Sequence, residues 1–162
     1  MKSNAVISED GLYRYSLSRE WDHRKPAINF VMLNPSTANA EKDDATIRRC
    51  ISFAALWGYG GLIVTNLYAY RSTEPRKLWS VIDPVGPENE KYLILLAHIA
   101  KKVVCAWGAN APLERAEDVR RILLATRAGL YTPNVLYCVG KTKNGEPKQP
   151  VRLAANTQLV EM

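Results

Sequence analysis

The chain has 162 residues, 47% of them apolar and 23% charged, an ordinary balance for a single globular domain with one core. No run of about 18 apolar residues exists to span a membrane, and the opening MKSNAVISEDG lacks a signal peptide's apolar stretch, so a cytoplasmic, membrane-free protein is expected. A net charge of +6 favours an acidic partner, such as a nucleotide or a nucleic acid.

Taken in chain order, residues 1–26 form the first unit. Within them GLYRYSLSREW alternates in the manner of a strand and predicts a β arm, either a hairpin or an edge strand. AINFVMLN, residues 27–34, is a short apolar run of the kind buried on both faces of a parallel sheet. Ile47, Cys50, Ile51, Ala54 and Ala55 then repeat at the spacing of a core-facing helix. Asp43 or Asp44 is placed to cap that helix, and the glycines of GYGG, residues 58–61, end it. LIVTNLYAY predicts a second strand. A connection punctuated by Pro and Gly leads to a helix over residues 88–101. VVCAWG, residues 103–108, predicts a third strand, PLERAEDVRRILLATRAG an amphipathic helix stopped by Gly129, and NVLYCVG, residues 134–140, a fourth strand. Residues 141–162 begin as a basic loop and run out as a tail.

Alternating strands and helices imply right-handed crossovers and a sheet covered on both faces. The expectation is one α/β domain over residues 1–162, with its core at 27–140. Its fold is a three-layer α/β/α sandwich around a central, mostly parallel four-stranded sheet. Cys50, Cys105 and Cys138 lie far apart in apolar contexts and read as reduced core residues. With only His23 and His98 beside them, no metal site is expected. Neither GxxxxGK[ST] nor a GxGxxG after a strand occurs, so no cofactor of the types those loops hold is indicated.

In such folds ligands bind in the crevice at the carboxyl ends of the strands. Here the first strand empties into Asn34-Pro35-Ser36-Thr37. The second contains Asn66 and runs on through Tyr68, Tyr70 and Arg71. The third ends in Trp107-Gly108, and the fourth leads to Lys141-Thr142-Lys143 and on to Lys148 and Gln149. Lysines, Arg71 and Arg48 or Arg49 suit phosphates. Trp107, Tyr68 and Tyr70 suit base stacking, and the amides of Asn34 and Asn66 suit a base edge. Each also has a plainer explanation: turn and cap chemistry for Asn34 to Thr37, loop anchoring for Asn66, core packing for Trp107, a solvated helix face for Arg48 and Arg49. The coincidence of four polar endings on one edge is what favours a site.

FVMLNPSTA, DDATIRRC, WGYGGLIVTNLYAYRST, DPVGPEN, AWG and VGKTKNGEPKQP, in this order over nearly the whole chain, resemble the bacterial and phage family of unknown function numbered 1643. More distantly, the order of motifs is similar to that of the uracil-DNA glycosylase superfamily. That likeness implies a glycosylase-like fold, with Asn34 as the amide that orients water and Pro35 as the turn former. It also implies that Asn66 lines a base pocket and that residues 141–150 form a loop near phosphates. Gln149-Pro150 stands where those enzymes commonly place His before Pro, and a glutamine cannot become cationic to stabilise a departing base. No aspartate occupies the turn itself, and Asp43 and Asp44 read first as helix caps.

The preferred reading is a nucleotide- or nucleobase-binding protein with its pocket at the carboxyl ends of the parallel strands, a protein that sequesters a nucleotide signal or recognises a modified base. Its partner would be a nucleotide or single-stranded nucleic acid, with self-association left open. The alternative is a glycosylase-like hydrolase of a base–sugar bond, with Asn34 or Asp44 positioning water. A third reading is an interaction domain whose polar strand ends merely cap helices. Binding is preferred because no side chain is plainly an activated nucleophile, base or metal ligand.

Overall fold

The structure, a computed structural model, describes residues 1–129 and 135–162. The strands are β1 (Lys2–Ile7), β2 (Arg14–Glu20), β3 (Ala27–Met32), β4 (Gly61–Asn66), β5 (Lys102–Cys105), β6 (Tyr137–Cys138) and β7 (Val160–Glu161). The helices are α1 (Ala45–Leu56), α2 (Asn89–Ile99) and α3 (Leu113–Arg127), with a 3-10 turn at Pro75–Ser80. All strands join one mixed sheet in the order β1-β2-β4-β3-β5-β6-β7.

The mostly parallel four-stranded sheet expected from the sequence is too small and too uniform. Among the described residues β4-β3, β3-β5 and β5-β6 are parallel pairings, while β1-β2, β2-β4 and β6-β7 are antiparallel. The additions come from the termini. The N-terminal arm is a hairpin of β1 and β2 that extends the same sheet. β7 is a two-residue strand laid against β6 by the tail. The predicted fourth strand began at Asn134, which lies outside the described residues; its described part pairs at Tyr137 and Cys138.

Two cores lie on opposite faces of the sheet, as expected when crossovers of one hand move first one way and then the other. On one face Ile47, Cys50, Phe53 and Ala54 of α1 pack on Leu17, Phe30, Met32, Leu62 and Val64. On the other, Leu93 and Ala97 of α2 and Ala116, Val119 and Leu123 of α3 pack on Val31, Val103 and Cys105. Ala55, expected to face the core, is exposed, while Phe53 is buried in it. The α1 boundaries follow from local chemistry. Asp44 accepts a hydrogen bond from the Ile47 backbone N–H at 2.9 Å, and Gly58 past the far end takes φ +85°, a conformation glycine adopts without strain.

One irregularity of the hairpin decides which way Arg14 points. Val6 faces Ser16 but Ile7 faces Arg14, so Tyr15 is the extra residue of a bulge. Leu17 and Arg19 face α1 and its preceding loop, and the bulge brings Arg14 to that same face. Tyr15 instead stacks on Tyr92 of α2, with ring centroids 5.4 Å apart.

Candidate binding site at the carboxyl edge of the parallel strands

The turn after β3 is stitched to the chain after β4. Asn34 Nδ2 donates to Ser72 O at 2.9 Å and to Pro35 O at 3.1 Å, and Ser72 N donates back to Pro35 O at 2.9 Å. Asn34 therefore uses its donors on the framework and leaves its carbonyl for other work. The end of β4 is fixed from the other side. Asn89 Nδ2 donates to the carbonyls of Asn66 and Leu67 at 3.0 and 3.1 Å, and Arg115 Nη2 adds a bond to Leu67 O at 2.7 Å. This explains the GPEN motif: Asn89 opens α2 and clamps the neighbouring strand end.

Below the Asn34 turn is a cavity of about 70 Å³, lined by Arg14, Met32, Asn34, Ser36, Asp44, Thr46 and Gln149, among others. Its volume exceeds the 10–15 Å³ or so that one water needs. Arg14 is 2% exposed. Its Nη1 donates to Ala38 O at 2.9 Å, and its Nε has no partner. Burial lowers its pKa to about 10, Asp44 pulls in the opposite direction, and Arg71 and Arg19 lower it further. It stays cationic at neutral pH, and no carboxylate among the described residues forms a salt bridge with it. Arg19 takes Asp43 at 2.9 Å, so Asp44 is the acid left beside Arg14.

Asn66 is the second unusual group. It pairs in register with Met32, and alternation from Leu62 and Val64 puts its side chain on the α1 face. It is 1% exposed, yet neither its Oδ1 nor its Nδ2 has a hydrogen-bond partner. A buried amide left so costs roughly 1–3 kcal/mol.

Across Leu33 and Gln149, which border both spaces, lies a more open groove of about 510 Å³. Asn110, Thr142, Lys148 and Arg152 give it polar and cationic walls, and no carboxylate among the described residues lines it. Two glycines bring Gln149 and Lys148 over the strand ends. Gly108 has φ +84°, and a Cβ there would stand 3.1 Å from Gln149 Cγ. At Gly140, φ +118°, it would stand 3.4 Å from Lys148 Cδ. The far wall, residues 150–157, is strapped onto α1 by bonds from Arg49 Nη2 to Leu153 O and from Trp57 Nε1 to Thr157 O, the latter 3.1 Å.

The predicted site residues therefore divide. Asn34, Ser36, Asp44 and Gln149 share the small cavity; Trp107, Gly108, Thr142 and Gln149 border the groove. Asn66 lines neither space; it lies in register beside Met32, which lines the small cavity. Trp107 is fully buried, its indole N–H donating to Glu146 Oε2 at 2.7 Å, so its ring offers no free face to a base. Tyr68 and Tyr70 pack on the α2 side, Tyr68 edge-on to Trp79 and Tyr70 edge-on to Tyr13. Pro35 is buried in the framework, Thr37 is exposed and borders neither space, and Arg48 is exposed and bonds Asp43 O. Arg71 bonds Gly11 O at 3.3 Å. Lys141 lines a different cavity beside Arg120 and Met162, and Lys143 is exposed outside both spaces. Sequence reasoning missed Arg14, Thr46 and Arg152. A charged residue inside an aromatic-rich strand was the available signal for Arg14.

Among the described residues no three His, Cys, Asp or Glu side chains converge to hold a metal, and no helix is long and apolar enough to cross a membrane. In comparisons with known proteins, the profile of a family described as "Protein of unknown function (DUF1643)" matches residues 14–151. No curated protein and no solved structure matches the chain.

Proposed function

This chain belongs to the DUF1643 family, and from the geometry of its carboxyl-edge crevice we propose that it binds a nucleotide, with the base edge in the small cavity and phosphate in the adjoining groove. The observation that carries the reading is Asn66. An amide buried to 1% exposure with both its donor and its acceptor unused is matched by a ligand that presents the reverse pair, and base edges do so. The charges of the small cavity and the groove point the same way. The small cavity holds a cation and a carboxylate, Arg14 and Asp44, which suits the neutral donor–acceptor edge of a base better than a dianion. The groove holds Lys148 and Arg152 with no carboxylate among its described lining, which suits phosphate. The likeness in motif order to uracil-DNA glycosylases lends support to a base as ligand, as fold-level analogy.

The direct test is a binding screen of mononucleotides and free bases against wild type, Asn66→Leu and Arg14→Met. Binding by wild type that both substitutions remove supports the reading. Equal binding by all three proteins overturns the placement of the site.

Hydrolysis of a base–sugar bond is the second reading, favoured by one observation: Asp44 shares the small cavity with Asn34 and Arg14. Against it, Asp44 Oδ1 is engaged by the α1 backbone, and the glutamine at position 149 supplies no proton to a leaving base. Formation of abasic sites in base-modified DNA by wild type, and its loss in Asp44→Asn, would replace binding by catalysis as the function.

A further inference from the structure

The 3-10 turn at Pro75–Ser80 stands on the rim of this groove and carries features that a mononucleotide does not need. Pro75 itself lines the groove, and buried Leu78 anchors the turn to the body. Between and beyond these anchors the side chains point to solvent. Trp79 is 52% exposed, Arg76 and Lys77 are exposed, and Ile82 just past the turn is fully exposed. Of the four tryptophans, Trp79 is the most open to solvent. Its ring is steadied edge-on against Tyr68, with centroids 5.4 Å apart and planes at 80°. At a rise of about 2 Å per residue, Trp79 lies within roughly 8 Å along the turn from Pro75.

A half-exposed, laterally braced indole preceded by two cations, on a turn whose first residue lines a cationic groove, is the arrangement that single strands use, with stacking on one group and phosphate contacts on its neighbours. We propose that the ligand of this site is a nucleotide within a single-stranded nucleic acid. One nucleotide occupies the crevice, and the strand leaves over the 75–82 segment, an adjacent base stacking on Trp79 and phosphates meeting Arg76 and Lys77. Glu74 holds those two cations at 3.4 and 3.8 Å in the free protein. Exposed pairs of this kind are weak, so exchanging Glu74 for phosphate costs little. The exposed Lys148 and Arg152 extend the cationic track on the far side of the groove.

The inference rests on the nucleotide reading above, and its test keeps the two apart. Titrate wild type and Trp79→Ala with a mononucleotide and with labelled single-stranded DNA and RNA of about ten nucleotides, inside the 4–16 or so that one site covers, and include a duplex control. The expected result is tighter binding of an oligonucleotide than of the mononucleotide, with quenching of tryptophan emission. Trp79→Ala should weaken the strand by roughly five- to 150-fold, the span of one stacked base, and leave the mononucleotide unchanged. Arg76→Gln with Lys77→Gln should lower the salt slope by about 0.7 per lost contact. The DNA and RNA arms decide which sugar is preferred. If the mononucleotide binds but the strand binds no tighter, if Trp79→Ala changes nothing, or if duplex binds as well as single strand, the strand proposal is overturned and the nucleotide reading stands. If neither ligand binds, both fall.

Discussion

Replacing Asn66 by leucine should make this protein more stable and unable to bind its ligand. Leucine reproduces the branched shape of asparagine at Cγ while removing both polar atoms, and its two methyl groups are somewhat bulkier than the groups they replace. In the free protein those atoms are buried with no protein partner, and relieving them is worth roughly 1–3 kcal/mol. For a chain of this length each kcal/mol moves the midpoint by about 2–4 °C, which gives a rise of roughly 2–12 °C. Urea unfolding is the assay, because an unchanged m-value shows that the same surface is exposed in both proteins. Asn29→Leu is the control. Asn29 is also fully buried in the sheet and its Nδ2 has no protein partner either, but its Oδ1 accepts from the Thr65 hydroxyl at 3.2 Å. Its loss strands that hydroxyl, which offsets the relief of Nδ2, so Asn29→Leu should stabilise less than Asn66→Leu. A fall of more than about 1 kcal/mol in Asn66→Leu at constant m would mean that the amide is bonded in the free protein. The case for Asn66 as a ligand-binding amide would then be lost.

Gly108→Ala forces a left-handed backbone on a residue with a Cβ, at about 1–2 kcal/mol, and sets that Cβ 3.1 Å from Gln149 Cγ. A lower urea midpoint and weaker nucleotide binding are expected together, since Gln149 borders both halves of the site. Glu146→Ala removes the acceptor of the Trp107 indole and the partner of Arg120 Nη2, at 2.7 and 3.1 Å. It should cost about 3 kcal/mol, towards the lower end for a broken buried pair because Arg120 keeps Glu117. Near-ultraviolet circular dichroism should report the displaced indole. All three cysteines are buried, and burial pushes the Cys50 and Cys105 thiols well above their ordinary range. A thiol reagent at mild alkaline pH should therefore find none of them in the native protein and all three in urea; one fast-reacting thiol in native protein would contradict the packing.

The middle of the fold was legible because its signals are local. Continuous apolar runs marked β3, β4 and β5, and the spacing of Ile47, Cys50 and Ala54 marked the buried face of α1. Asp44 and Gly58 closed that helix at each end. The ends of the chain carried no such signal. β1 begins Lys-Ser-Asn, all exposed, and β7 is two residues long. Both are strands because of what they pair with, and pairing partners far along the chain leave no mark on a short stretch. The site shows the same division. Asn34, Gly108 and Gln149, which line the candidate crevice, stand at and beyond the strand ends, where the strands themselves fix the position. Stacking was assigned to Trp107, Tyr68 and Tyr70, which the α2 and α3 layer buries or claims. Which face of a strand end meets which helix depends on the crossover, and residue order alone does not show it.

Arg14 illustrates why the mixed sheet bears on the candidate site and not only on architecture. Parallel strands joined by helices all end on one edge, so on their own they furnish a crevice with their last residues and the loops beyond. An antiparallel neighbour reverses this: β2 begins where β4 ends, and its first residue, Arg14, arrives at the carboxyl edge from outside the βαβ series. The bulge at Tyr15 then settles which face that residue occupies. With regular alternation from Leu17 and Arg19, Tyr15 would face α1 and Arg14 would face α2. One extra residue exchanges them, giving the tyrosine to Tyr92 and the guanidinium to the cavity beside Asp44. The hairpin thus adds to the crevice a buried cation that none of the four strand ends supplies.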